Sequence, residues 1–184
     1  MKYKPSKVAN CSVVEVNRHF DNRGFFQELY QEKEYRSLPY ALPYCETQVW
    51  KQINWSSSKK DVLRGIHLSP YEKLITCVKG RIFDVIVDFR HGSSTYMEWF
   101  GVCLDAETPT QVFIPANCGH AFLALEDCTV IYCQSEMYNP AKEFAVKWDD
   151  RDVGVMWPIV NPILSEKDAA AKTWNEWQNV GNCG

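Results

Sequence analysis

The segment Arg81-Ile82-Phe83-Asp84-Val85-Ile86-Val87-Asp88-Phe89 constrains the fold more than any other part of the chain. Side chains that alternate put Phe83, Val85, Val87 and Phe89 on one face and Ile82, Asp84, Ile86 and Asp88 on the other. The period is two, so the segment is a strand with one strongly apolar face and one mixed face. Residues 74–79, 97–104, 110–114, 121–125 and 129–134 read as further strands. Turn signals separate them at Lys79-Gly80, His91-Gly92-Ser93-Ser94, Glu107-Thr108-Pro109 and Glu126-Asp127. Many short strands at close spacing predict an all-β sandwich or barrel. Helix signals stay on the flanks. Residues 32–38 predict one or two turns, and Ser165 caps a C-terminal helix that runs through Ala169-Ala170-Ala171 with Trp174 and Trp177 on one side.

A chain of 184 residues is long enough for one domain with a substantial core, and no linker, repeat or low-complexity tract divides it. We expect a single domain over 1–184 with its core at about 12–172 and a frayed tail at 179–184. Charged residues make up 23% and hydrophobic residues 46%, with a net charge of -3. No basic run marks a nucleic-acid or membrane surface, so neither partner is expected. MKYKPSKVAN has no apolar signal core, and no stretch nears the roughly 20 apolar residues of a membrane helix. The eight cysteines, at 11, 45, 77, 103, 118, 128, 133 and 183, include no C-x-x-C pair. Several sit among apolar strand residues, which fits reduced thiols used as small hydrophobes in a cytoplasmic protein.

A barrel of this size has a mouth that holds one small ligand. Polar residues within strand segments are the candidates for lining it. In Val62-Leu63-Arg64-Gly65-Ile66-His67, Gly65 permits a bulge that would aim Arg64 and His67 to the same side; otherwise Arg64 is an exposed strand residue and His67 a satisfied core histidine. In Phe113-Ile114-Pro115-Ala116-Asn117-Cys118-Gly119-His120-Ala121-Phe122, a histidine opens a strand after a tight turn, and the segment also reads as a plain hairpin. Two histidines on separate strands, with Ser69 where a second strand ligand would stand, fall short of a metal set, so no metal is expected. Tyr132, Lys73 and Asp168 each have an ordinary reading as well: core or surface tyrosine, solvated strand-end lysine, and first-turn helix carboxylate.

Taken in order, these segments resemble the dTDP-4-dehydrorhamnose 3,5-epimerase family. The matching stretches are Phe20-Asp21-Asn22-Arg23-Gly24-Phe25-Phe26-Gln27-Glu28, residues 52–58, 62–67 and 80–88, Ile114-Pro115, Gly119-His120-Ala121-Phe122, Trp148-Asp149-Asp150, Trp157-Pro158, and Leu164-Ser165-Glu166-Lys167-Asp168. The resemblance implies a cupin-like jelly-roll barrel and a homodimer that needs no metal or redox cofactor. Its substrate would be a nucleotide-linked 4-keto sugar, such as a dTDP sugar. It implies His67 as general base, Asp168 as its orienting carboxylate, Tyr132 as proton donor on the opposite face and Lys73 near the substrate ketone. It also implies substrate contacts at Gln52, Asn54, Arg64, His120, Tyr138, Glu143 and Lys167. Arg23, Phe26 and Glu28 would reach the substrate of a neighbouring subunit. The chain departs from the family at the short loop between His67 and Lys73, at Leu68-Ser69 and at Met137.

The residue types suit that chemistry. Hydrogens beside a ketone are acidic because their loss gives an enolate. Epimerisation requires a base on one face and an acid on the other. Imidazole, with an ordinary pKa of about 6.5, is available as a base near neutrality. A phenol near pKa 10 stays protonated and can donate. A cation stabilises the enolate oxygen, and Arg23, Arg64 and Lys167 suit a diphosphate. Inversion at one carbon only, or non-catalytic binding of a sugar nucleotide, are the alternative readings.

Overall fold

The computed structural model describes residues 2–36 and 50–179. Eight strands make a jelly roll: β5 (Gln52–Ser58), β6 (Leu63–Leu68), β7 (Lys73–Lys79), β8 (Arg81–Asp88), β9 (Trp99–Asp105), β10 (Thr110–Ile114), β11 (Cys118–Ala124) and β12 (Cys128–Gln134). The chain passes repeatedly from one sheet to the other, giving neighbour orders β10-β7-β12-β5 and β6-β11-β8-β9. Strands β1 (Lys2–Pro5) and β2 (Ser12–Glu15) extend the first sheet beyond β10, and β13 (Phe144–Ala145) extends the second beyond β6. A separate hairpin of β3 (Arg18–Asp21) and β4 (Gly24–Gln27) carries the first family-like stretch.

The expected strands are all present, with ends shifted by up to three residues. Both faces of β8 are buried, for different reasons. The mixed face turns inward: Ile82 and Ile86 join Ile75, Leu104, Val112, Ile114 and Val130 between the sheets, and Asp84 is fully enclosed. The strongly apolar face turns outward, where Val85, Val87 and Phe89 are covered by Val146, Val153, Trp157 and Trp174. Two polar residues share that inward face: Asp88 is taken up by Arg90, Ser93 and Thr95, which leaves Asp84 to mark the site, while the greasier face is roofed by the C-terminal segment. Cys11, Cys77, Cys118 and Cys128 are buried in the inter-sheet core, as small hydrophobes would be, whereas Cys103 is exposed. Cys45, Cys183 and the last five residues lie outside the described residues.

The first flanking helix, α1, spans Glu32–Arg36; positions 37 and 38 of the expected turns lie outside the described residues. The C-terminal helix differs from expectation in being two short helices, α2 (Glu166–Ala169) and α3 (Trp174–Asn179). Between them Lys172 is drawn into extended backbone by a parallel bridge to Val146, and its carbonyl accepts from Lys147 N–H at 2.8 Å. A new start signal then follows. Thr173 N–H donates to Glu176 Oε2 at 2.7 Å while Thr173 Oγ1 accepts from Glu176 N–H at 3.3 Å, a reciprocal cap. That Thr-x-x-Glu pattern is visible in the sequence.

Candidate active site

The bulge expected at Gly65 is what brings the first two polar residues together. Across β6 and β11 the register runs His67 opposite His120 and Arg64 opposite Phe122, so Gly65 and Ile66 together face Ala121 alone. Without the extra residue, positions 64 and 67 would point to opposite faces; with it they share one. Only glycine fits. Its φ is +114°, and an added Cβ would lie 2.6 Å from both the Ala121 Cβ and the His120 carbonyl oxygen.

The cleft that results measures about 360 Å³. One wall comes from the β6-β11-β8 sheet and supplies Arg64, His67, His120 and Phe122. The other comes from the β7-β12-β5 sheet and supplies Lys73, Tyr132, Gln134, Gln52, Asn54 and Ser56. The segment after β12 adds Tyr138 and Glu143, and α2 adds Lys167. Period two explains the second wall. Gln52, Asn54 and Ser56 point inward along β5, while Ile53 and Trp55 between them are exposed.

His67 Nε2 lies 2.7 Å from Asp168 Oδ1. Ser165 caps α2 by accepting from the Asp168 amide at 3.1 Å, which fixes the turn that presents the carboxylate. Asp168 is 3% exposed. Burial alone would raise its pKa, but the hydrogen bond and charge of His67, with help from Ser165 and the Gly65 backbone amide, leave it below the ordinary carboxylate value. An ionised carboxylate only accepts, so Nε2 carries the hydrogen and the neutral imidazole keeps its lone pair on Nδ1.

His120 is held the same way, with Nε2 2.7 Å from Oδ1 of the fully buried Asp84. The other oxygen of Asp84 has no hydrogen-bond partner among the described residues. Lys73 is only 6% exposed. Burial lowers its pKa to about 8, partly offset by the charge of Asp84, so the amine sits close to its titration point near neutral pH. Burial raises the Tyr132 phenol above its ordinary value, with the Arg64 charge opposing; it therefore stays protonated throughout the neutral range. Burial also raises Glu143, against the charges of His67 and Lys167. Among the described residues no three His, Cys, Asp or Glu side chains converge as a metal site requires.

The cleft thus gathers His67, Tyr132, Lys73, Gln52, Asn54, Arg64, His120, Tyr138, Glu143 and Lys167, and Asp168 stands behind His67. Arg23, Phe26 and Glu28 are not brought there. Arg23 is at the exposed tip of the β3–β4 hairpin, paired with Asp21. Phe26 is 66% exposed over the outer face of the first sheet, and Glu28 lies near Asn17 and Glu34. Sequence reading missed Ser56, Asp84, Phe122 and Gln134. Three of them stand two residues from one that was named, Asn54, His120 and Tyr132 respectively, so strand parity alone would have found them.

A family model described as dTDP-4-dehydrorhamnose 3,5-epimerase matches residues 5–176. The curated dTDP-4-dehydrorhamnose 3,5-epimerase of Methanothermobacter thermautotrophicus is 38% identical over 171 residues, covering 89% of each chain. The Mycobacterium tuberculosis RmlC epimerase superimposes with a TM-score of 0.93 at 33% identity, over 100% of this chain and 93% of that one. The Legionella pneumophila enzyme, solved in complex with dTDP-4-keto-L-rhamnose, gives 0.88 at 35% identity, over 95% and 93%. With the jelly roll, the matched length and these identities in agreement, the chain belongs to the dTDP-4-dehydrorhamnose 3,5-epimerase family.

Proposed function

We propose that the protein inverts C3 and C5 of a nucleotide-linked 4-keto-6-deoxyhexose, converting dTDP-4-dehydro-6-deoxyglucose to dTDP-4-dehydro-L-rhamnose through enolates. The observation that carries this reading is the placement of a carboxylate-held imidazole and a protonated phenol on different sheets of one cleft, with a buried amine beside the phenol. His67 Nδ1 removes the proton from the carbon beside the ketone. The C–H electron pair becomes the C=C bond of the enolate, and the carbonyl electrons move to oxygen, where the Lys73 ammonium offsets the charge. Asp168 supports the imidazolium meanwhile. Tyr132 then returns a proton to the opposite face, and solvent restores both groups before the second centre reacts. Arg64 and Lys167, isolated cations at the cleft, suit the diphosphate.

The hairpin completes the proposal. Phe20, Phe25 and Phe26 are 74%, 57% and 66% exposed, and Ile53 and Trp55 on edge strand β5 are 67% and 71% exposed. Apolar surface of this kind suits a second copy, in a homodimer where Arg23, Phe26 and Glu28 serve the neighbouring cleft. Free thiols at all six described cysteines suit the cytoplasm. No helix among the described residues is long and apolar enough to cross a membrane.

The test is incubation with the 4-keto sugar nucleotide in D₂O, followed by NMR. Deuterium entering C3 and C5 with inversion at both is expected. Exchange at one carbon would identify a mono-epimerase, and binding without exchange would leave a carrier rather than an enzyme.

A further inference from the structure

The amides on the first sheet form a relay whose direction is fixed at one end. The Tyr138 backbone N–H donates to Gln52 Oε1 at 2.8 Å. A backbone N–H can only donate, so the oxygen of Gln52 faces Tyr138 and its nitrogen faces inward. Gln52 Nε2 donates to Asn54 Oδ1 at 2.7 Å, and Asn54 Nδ2 donates to Gln134 Oε1. Each link leaves the next amide one orientation, which removes the usual oxygen–nitrogen ambiguity. The relay ends on Gln134 Nε2, a buried donor with no acceptor among the described residues. Gln134 itself is 3% exposed and lines the cleft. Leaving such a donor unpaired is unfavourable, and an arriving acceptor removes that penalty.

The position of Gln134 indicates the acceptor. Gln134 and Lys73 are direct register partners across β12 and β7, and Tyr132 precedes Gln134 by two residues on the same face. Residues opposite each other in a sheet hold their Cβ atoms about 4.5–5.5 Å apart, and both side chains line the same cleft, so one substrate oxygen placed between their ends can meet both donors. We propose that Gln134 and Lys73 form a two-donor site for the substrate oxygen that changes from ketone to enolate, with Gln52 and Asn54 as positioning residues that direct the Gln134 N–H. This rests on the enolate reading above. The two donors differ in kind: the ammonium supplies charge without direction, and the amide supplies direction already set by the relay, which needs no reorganisation as the oxyanion forms.

Two variants test this, read by deuterium exchange at C3 and C5. Absence of exchange in the unaltered protein would refute the enolate reading itself, a result separate from anything a variant shows. With exchange established, Gln134→Met keeps the side-chain length and removes the donor. It is expected to slow exchange roughly 10²–10³-fold, with KM nearly unchanged. Exchange close to the unaltered rate, or a loss confined to KM, would overturn the proposal. Gln134→Glu keeps the acceptor for Asn54 and sets a negative charge against Lys73. The other charged or titratable groups of the cleft are His67 and Arg64 on β6, His120 on β11, Asp84 on β8, Tyr132 on β12, Tyr138, Glu143 and Lys167, and they are unaltered. Exchange should be as slow as in the Met variant at neutral pH, and the alkaline fall of the pH profile should move to higher pH. An unmoved profile would mean that Gln134 does not face Lys73, so the Glu variant decides the matter even if the Met variant fails to fold.

Discussion

Replacing Lys73 by Met should make the protein more stable and nearly inactive at once. Lys73 is 6% exposed, and burial takes its pKa from the ordinary 10.5 to about 8. At 1.36 kcal/mol for each tenfold change, holding the charged amine in the folded state at pH 7 costs about 3 kcal/mol. Methionine has similar length and keeps a polarizable contact to the Tyr71 ring, whose centroid lies 5.5 Å from the ammonium. The sign of the pH dependence follows from proton counts. Between pH 8 and 10.5 the unfolded chain binds the Lys73 proton and the folded chain has lost it, so the Lys73 protein gains stability as pH rises, and the penalty is full only below pH 8. Urea unfolding at fixed protein concentration should therefore show Lys73→Met more stable by about 2–3 kcal/mol at pH 7. In a chain of this size that is roughly 5–10 °C in Tm. The advantage should shrink strongly by pH 10. A variant no more stable at pH 7, or one whose advantage does not change with pH, would refute the account of Lys73 as a buried, strained cation. In the same preparations exchange should fall roughly 10²–10³-fold. The unaltered enzyme should lose activity above about pH 8 as Lys73 gives up its proton.

Tyr132→Phe removes the acid but leaves the base, so NMR should show product inversion falling much more than initial exchange; equal losses would make Tyr132 a positioning group. Asp168→Asn keeps the shape but loses the charge that supports the imidazolium, so exchange should drop by at least about 10²-fold while KM holds steady. Because Asp168 is held below its ordinary pKa, its contribution to stability is present at neutral pH and lost as pH falls through the folded-state value. Acid unfolding of Asp168→Asn should accordingly depend less on pH. Gly65→Ala forces a Cβ to 2.6 Å from its neighbours at φ +114°; it should lower stability by about 2 kcal/mol or more and slow exchange by tilting His67, read by urea unfolding and NMR.

The strands around Ile82–Ile86 were legible because alternation is a local property, and the bulge at Gly65 was legible because a glycine between two polar strand residues has few other uses. Which face of β8 points inward was not legible. Hydrophobicity favours the Phe83 face, and only the tertiary roof of Trp157 and Trp174 reverses that choice. Asp84 was missed for the same reason: its value lies in His120, a partner 36 residues away. The C-terminal helix divides in two because alanines at 169–171 favour helix locally, while the strand-like bridge at Lys172 depends on Val146, which no local pattern reveals. The hairpin's Arg23, Phe26 and Glu28 lie outside the cleft of their own chain, and nothing local in the sequence distinguishes that from a place inside it.

The jelly roll also has a kinetic consequence. Its order deals most successive strands to different sheets, and the imidazole on β6 meets its carboxylate 101 residues later. No short contiguous fragment can hold a half-active centre, and pairings this distant in sequence form slowly. Turnover is therefore a sensitive gauge of complete folding: a growing or refolding chain should stay silent until α2 docks.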